Sequence, residues 1–140
     1  MAIDFTNTIH SKIIDSLSAI INGEFNIPIY YDEHKGNQSW LLTPESDELV
    51  THLSSGIERA YSVNIQYEMK SGGNYHKNDF KQISNIMERL KRLIFNNMSK
   101  DSGDTWVDAG ISSIEYERDE EDKSILRSIA TFNCSNIEII

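Results

Sequence analysis

A single cysteine, Cys134, stands among the 140 residues, which excludes an internal disulfide and a cysteine-based zinc cluster. No apolar run approaches the ~18 residues that a membrane-spanning helix needs. Met1 to Gly23 has no basic start followed by a continuous apolar stretch, so a soluble chain that is not exported by that route is expected. Cations are scarce: 13 lysines and arginines against 22 carboxylates leave a net charge of −9. That balance opposes non-specific attraction to a phosphate backbone and argues against a DNA-coating role. Glycine is doubled only at Gly72-Gly73, without the Gly-Lys-Ser/Thr of a phosphate cradle, and reads as a turn. Repeats, low-complexity tracts and linkers are also missing. What is present is ordinary, with 39% hydrophobic, 25% charged and 9% aromatic residues, and it suits one domain spanning residues 1–140.

The charge is unevenly spread. Residues 1–50 hold two basic against eight acidic side chains (net −6), residues 51–100 eight against four (+4), and residues 101–140 three against ten (−7). A basic middle between acidic ends keeps a small domain soluble. It also permits self-complementarity, in which a basic patch on one copy meets an acidic patch elsewhere on the next. Such head-to-tail contacts generate rings when the rotation closes.

Local pattern supplies the elements. Ile9, Ile13, Ile14, Leu17, Ile20 and Ile21 recur at helical spacing between Asp4 and Asn22, with Thr6 or Asp4 as cap and Gly23 as the left-handed exit. Phe25, Ile27, Ile29 and Tyr31 alternate as a strand, and with Trp40-Leu41-Leu42 they predict an antiparallel pair around a turn at Gly36-Asn37. Pro44 to Gly56 reads as a loop with little regular structure. Tyr61, Val63, Ile65, Tyr67 and Met69 give the cleanest period-two alternation in the chain. Ser71 to Asn74 ends that strand. Phe80, Ile83, Ile86, Met87, Leu90, Leu93 and Ile94 then mark a second helix to about Asn97, with Asn78 as cap and Lys77, Lys81, Arg89, Lys91 and Arg92 on its other faces. A strand from Trp106 through Tyr116, bent near Gly110, pairs with Ile125 to Cys134 as a long hairpin whose tip is Arg118-Asp-Glu-Glu-Asp-Lys123. Apolar residues on both faces of that last strand predict a central position, covered by helix on one side and by something else on the other. The fold class expected is α+β: an antiparallel β-sheet with two helices packed on one face and a long, acidic-tipped C-terminal hairpin.

Candidate chemistry is thin. His10, His34, His52 and His76 show no i, i+3 or i, i+4 pairing for a metal, and each is expected to be exposed or locally bonded, His76 with Asp79. Asp119 to Asp122 lack the glycine-centred loop of a calcium site, and at a wet hairpin tip they should keep ordinary ionisation. Trp40, Trp106 and Tyr75 could stack on bases or sugars, but core or rim packing suits their acidic and neutral surroundings better. Cys134, on an apolar strand face, reads as a buried, inert thiol. No enzyme activity, cofactor or metal is expected. A site assembled only in three dimensions from His34, His52 and Asp47 stays open as an alternative, as does a cytosolic adaptor that works by acidic mimicry.

The whole arrangement resembles the tail terminator (tail completion) proteins of tailed bacteriophages. The pattern that carries the resemblance runs from the opening helix at Ile9 to Ile21, through the strand Arg59 to Tyr67 and the helix Asp79 to Asn97, to the hairpin Ile114 to Arg127 and the last strand ending at Cys134. The resemblance implies a structural virion protein: a subunit of a hexameric ring that caps the tail tube and joins it to the neck. Its partners would be its own copies, the tail tube protein and neck or connector proteins. DNA would pass transiently through the channel, no membrane would be contacted, and assembly would take place in the host cytoplasm. A neck or head-to-tail adaptor of the same virion has a comparable pattern. For such a ring we expect Lys81, Arg89 and Arg92 of one copy to meet Asp119, Glu120, Glu121 and Asp122 of the next.

Overall fold

The computed structural model describes residues 3–70 and 76–139. A π-helical turn, Thr8–Ile14, runs into α1 (Asp15–Glu24). There follow β1 (Ile29–Tyr30), β2 (Gln38–Leu53), β3 (Gly56–Lys70), α2 (His76–Phe95), β4 (Val107–Arg118) and β5 (Ile125–Ile139). The strands form one sheet in the order β1-β2-β3-β5-β4, antiparallel except where β1 meets β2. The helices cover one face of it, so the α+β architecture expected from the sequence is the one found.

Alternation decides which face is covered. Val63, Ile65 and Tyr67 of β3, Trp40 and Leu42 of β2, and Leu126, Ala130 and Phe132 of β5 point one way and are buried. Against them lie Ile13, Ile14, Leu17 and Ile21 from the first helical segment and Ile83, Met87, Leu90 and Ile94 from α2, in a single core cluster. Each fully buried aliphatic side chain contributes about 1.5–3 kcal/mol, and this seam holds α1 despite its isoleucine-rich, weakly helix-forming sequence. The opposite face of the sheet carries Ser62, Asn64, Gln66 and Glu68 of β3 beside Arg127, Ile129, Thr131 and Asn133 of β5, all partly exposed. β5 is interior, as its two-sided pattern predicted. Among the described residues no second layer of helix or strand covers that other face, and Ile137 is 45% exposed there.

Several local expectations are corrected. The first helix opens as a π turn capped by Asn7, whose side chain accepts from the His10 amide, in place of Asp4 or Thr6. The four- and five-residue steps from Ile9 to Ile13 and Ile14 suit that wider winding. Gly23 lies inside α1, and the chain leaves at Phe25 in an extended conformation, so no left-handed exit is used. The first strand is two residues long and parallel to β2, with Ile29 opposite Trp40. An antiparallel turn is replaced by a loop whose His34 bonds Ser39 (2.8 Å) and Gln66 (3.1 Å). The stretch Pro44 to Gly56 is not a loop: β2 runs to Leu53 and pairs with β3 throughout, with irregularities between Pro44 and Ser46 and between Leu49 and Thr51. β1 covers only Trp40 and Leu41, so Pro44 sits on an edge where its missing amide leaves no ladder bond unmade. α2 begins at His76, which places Asn78 inside the helix. The proposed turn at Ser71 to Asn74, Tyr75 as a stacking ring, and the His76–Asp79 contact lie outside what is described. The bend near Gly110 is real: the register with β5 shifts on both sides of it, and Asp108 adopts φ +54°.

Sheet register fixes the two ends of the molecule. Lys70 faces Ile125, so the β4–β5 tip stands at one end, and Gly56 faces Ile139, so the β2–β3 turn stands at the other.

Candidate subunit-contact surfaces

At the tip end, strand register brings three carboxylates onto one guanidinium. Arg127 lies opposite Glu68 of β3 and Glu117 of β4. Its Nε donates to Glu68 at 2.7 Å, its Nη2 to Asp119 at 3.1 Å, and Nη1 stands 3.8 Å from Glu117. The Asp119 carboxyl also accepts from the Glu121 amide at 3.0 Å. That amide first and Arg127 second hold it below the ordinary carboxylate range. Asp122 is lowered in the same direction by the hydroxyl (2.6 Å) and amide (3.0 Å) of Ser124. The tip is therefore a wired turn, and the expectation of ordinary ionisation fails for these two because hydrogen bonding, without burial, suffices.

A pH dependence follows from the sign of these shifts. Both folded values are depressed, so the contribution of the two carboxylates is complete above their ordinary value of 3.8 and is lost as pH falls through the lower folded values. Amide exchange, corrected for intrinsic rates, should show residues 119–124 losing protection below about pH 4 ahead of the core. Equal protection at pH 6 and pH 3 would contradict this.

The basic helix is partly committed within the chain. Arg89 Nη2 donates to the Glu24 carbonyl (3.0 Å) and carboxylate (2.9 Å), and its guanidinium lies 4.5 Å over the Phe25 ring. It thus neutralises the C-terminus of α1 and clasps the two helices together. Lys91 pairs with Glu88 at 2.6 Å. Arg92 lies 5.7 Å over Phe95 and is exposed, as is Lys81. Of the seven residues assigned to a subunit contact, Arg89, Asp119 and Asp122 are engaged internally, while Lys81, Arg92, Glu120 and Glu121 face outward. The tip lies beside the start of α2 in its own chain, since Arg118 stacks 5.3 Å over Phe80. Arg92, eleven residues beyond Lys81, stands about 16 Å further along the helix.

Sequence pattern missed two surfaces. The first is the far end of the sheet, where Leu49 (46% exposed), Val50 (53%) and Leu53 (44%) lie on β2 beyond the helix layer. The second is a depression of about 460 Å³ between α2 and β4, lined by Phe80, Lys81, Ser84 and Tyr116. Phe80, assigned by periodicity to the core stripe, is 42% exposed there, as is Tyr116. The first could have been found by asking what Leu49, Val50 and Leu53 would pack against. The second depends on how α2 docks along β4, which leaves Phe80 half-exposed while Ile83 is buried, and no local pattern encodes that docking.

The three-residue alternative does not converge. His34 bonds Ser39 and Gln66, Asp47 is paired with Arg59 at 2.6 Å, and His52 is exposed opposite Ile57. Gln66 and Ile57 are nine residues apart on one strand, about 30 Å. Trp40 and Trp106 are fully buried, and burial pushes the Cys134 thiol up to about 12. No family model matches the chain, and a search of curated proteins also finds no match.

Proposed function

We propose that the chain is a structural subunit that assembles with its own copies into a ring, in the manner of a phage tail terminator that caps the tail tube and joins it to the neck. One observation carries this reading: the described residues leave two unlike apolar surfaces uncovered, one at the acidic far end of β2 and one beside the basic row of α2. Unlike patches at different places on one molecule match head-to-tail rather than face-to-face, and that geometry gives a ring when the rotation between copies closes and a filament when it does not. The opposite charge around them adds orientation and a contact rate that falls with salt. A neck or head-to-tail adaptor ring uses the same geometry. Tube and neck proteins would be its partners, with DNA passing through the channel, and no cofactor is required.

Light scattering and negative-stain microscopy at high protein concentration test it. We expect a ring of about six 16.0 kDa subunits that weakens with added salt. Lys81→Glu with Arg92→Glu should dissociate it. Arg89 is avoided, because reversing it would place two carboxylates together at Glu24. A 16.0 kDa monomer at every concentration would refute the ring and favour an adaptor that binds other proteins singly.

A further inference from the structure

We infer that the β2–β3 end of one copy seats in the α2–β4 depression of the next copy. The inference rests on the self-assembly reading above and specifies its contact.

Consider what each surface offers. From Glu48 to Leu53 every residue of β2 is exposed, a run of about 20 Å. Alternation across the β2–β3 pair places Leu49 on the helix side and Leu53 on the other, with Val50 in the irregular step between Leu49 and Thr51. The end therefore presents apolar side chains around its rim and closes in a tight turn at Ser54-Ser55. Such a run of aliphatic residues on an edge invites association unless charge restrains it. Restraint is visible: residues 45–59 hold Glu45, Asp47, Glu48 and Glu58 against Arg59 alone, and Asp47 already occupies that arginine. The end is an apolar finger in an acidic frame.

The depression is its complement. Phe80 and Tyr116 give aromatic walls, Ser84 is small, and Lys81 lies along the lining. Arg118 stands over the Phe80 ring. Two half-exposed aromatic rings beside two cations, Lys81 and Arg118, fit an aliphatic residue flanked by carboxylates. They repel a second copy of the same surface. Finger and depression lie at opposite ends of the sheet, because β3 runs from Gly56 at one end to Lys70, opposite Ile125, at the other. The two cannot meet within one chain. A second copy of this chain is therefore the occupant that the charge pattern selects.

Disulfide trapping tests the contact. Val50→Cys with Ser84→Cys introduces thiols on both surfaces, and Cys134 is buried and does not compete. A bridge forms only where the Cα atoms come within about 7 Å. Oxidation with diamide should give a ladder of covalent multimers on a non-reducing gel, ending at the subunit count of the ring. Each single variant should run only as monomer on that gel while still assembling by light scattering, because neither surface meets itself. Val50→Asp with Leu53→Asp, both at exposed positions, should reduce the assembly to monomer with unchanged circular dichroism. Rings by light scattering without a ladder would overturn the docking and leave self-assembly standing. Monomers in both assays would overturn both.

Discussion

Trp106→Ala is expected to lower the midpoint of thermal unfolding by roughly 10–20 °C, because truncating a large buried aromatic costs about 3–5 kcal/mol out of a total of 5–15. Trp106 has no exposed surface, and its ring meets Phe132 edge-on at 5.2 Å and 67°. Its indole N–H donates to the Asn97 carbonyl at 2.8 Å, just beyond the end of α2. The neighbouring carbonyls of Asp104 and Thr105 accept from Asn136 of β5 at 3.4 and 2.7 Å. The residue thus joins α2, the loop after it and β5, and its loss loosens all three together. Trp40 supplies the contrast. It lies between Phe25 (5.1 Å) and Tyr67 (5.0 Å), but its indole N–H is buried with no acceptor among the described residues. Trp40→Phe deletes that orphaned donor, whereas Trp106→Phe orphans the Asn97 carbonyl. Trp106→Phe should therefore cost about 1–2 kcal/mol more than Trp40→Phe in urea unfolding followed by circular dichroism. Equal costs would mean that ring volume alone governs both sites.

Both tryptophans were legible as packed residues because acidic and neutral neighbours in sequence suit core or rim packing better than stacking on bases or sugars. α2 and β3 were legible too, because their periods of 3.6 and 2 each run for four or more repeats. The pattern misleads where one face changes partner along an element. β2 opens on the short apolar run Trp40-Leu41-Leu42 and then passes through two irregularities into exposed residues, so a 16-residue strand reads as a strand and a loop. The two-residue β1 is too short for alternation to set its direction, and the bond that turns the following loop across the sheet comes from Gln66, 32 residues beyond His34. At the candidate contact, charge by segment located the basic and acidic regions but not how their members are used. Arg89 reads as one more outward cation on a helix face, yet Glu24, 65 residues earlier, takes it. Ion pairs between distant positions depend on sheet register and helix docking, which local spacing does not contain. For the same reason Arg127, read only as one position on a strand face, was not recognised as the centre of the tip.

Arg127→Ala is expected to cost about 2–3 kcal/mol in urea unfolding, with an unchanged dependence on denaturant. The estimate lies below the 3–5 kcal/mol of a fully buried pair, because Arg127 is 26% exposed, though Glu68 is only 13% exposed. Removing the guanidinium leaves Glu68, Glu117 and Asp119 converging on an empty position, and mutual repulsion adds to the lost bonds. Arg127→Lys should recover less than half of the loss. An ammonium reaches one carboxylate at a time, whereas the planar fork serves Glu68 through Nε and Asp119 through Nη2. Arg127→Met combined with Glu68→Met should come closer to the native protein than Arg127→Ala alone, since no charge is then left half-buried. The acid response separates a lost ion pair from lost packing. Without the guanidinium the Asp119 carboxyl keeps only its backbone amide donors, Glu121 first and Asp122 after it, so the loss of protection at residues 119–124 should move to higher pH in Arg127→Ala. It should stay in place in Ile129→Ala, which truncates a neighbour on the same face without touching the charge. An acid limb unmoved by Arg127→Ala would show that the backbone amides alone set Asp119, and that the three carboxylates do not act through their shared cation.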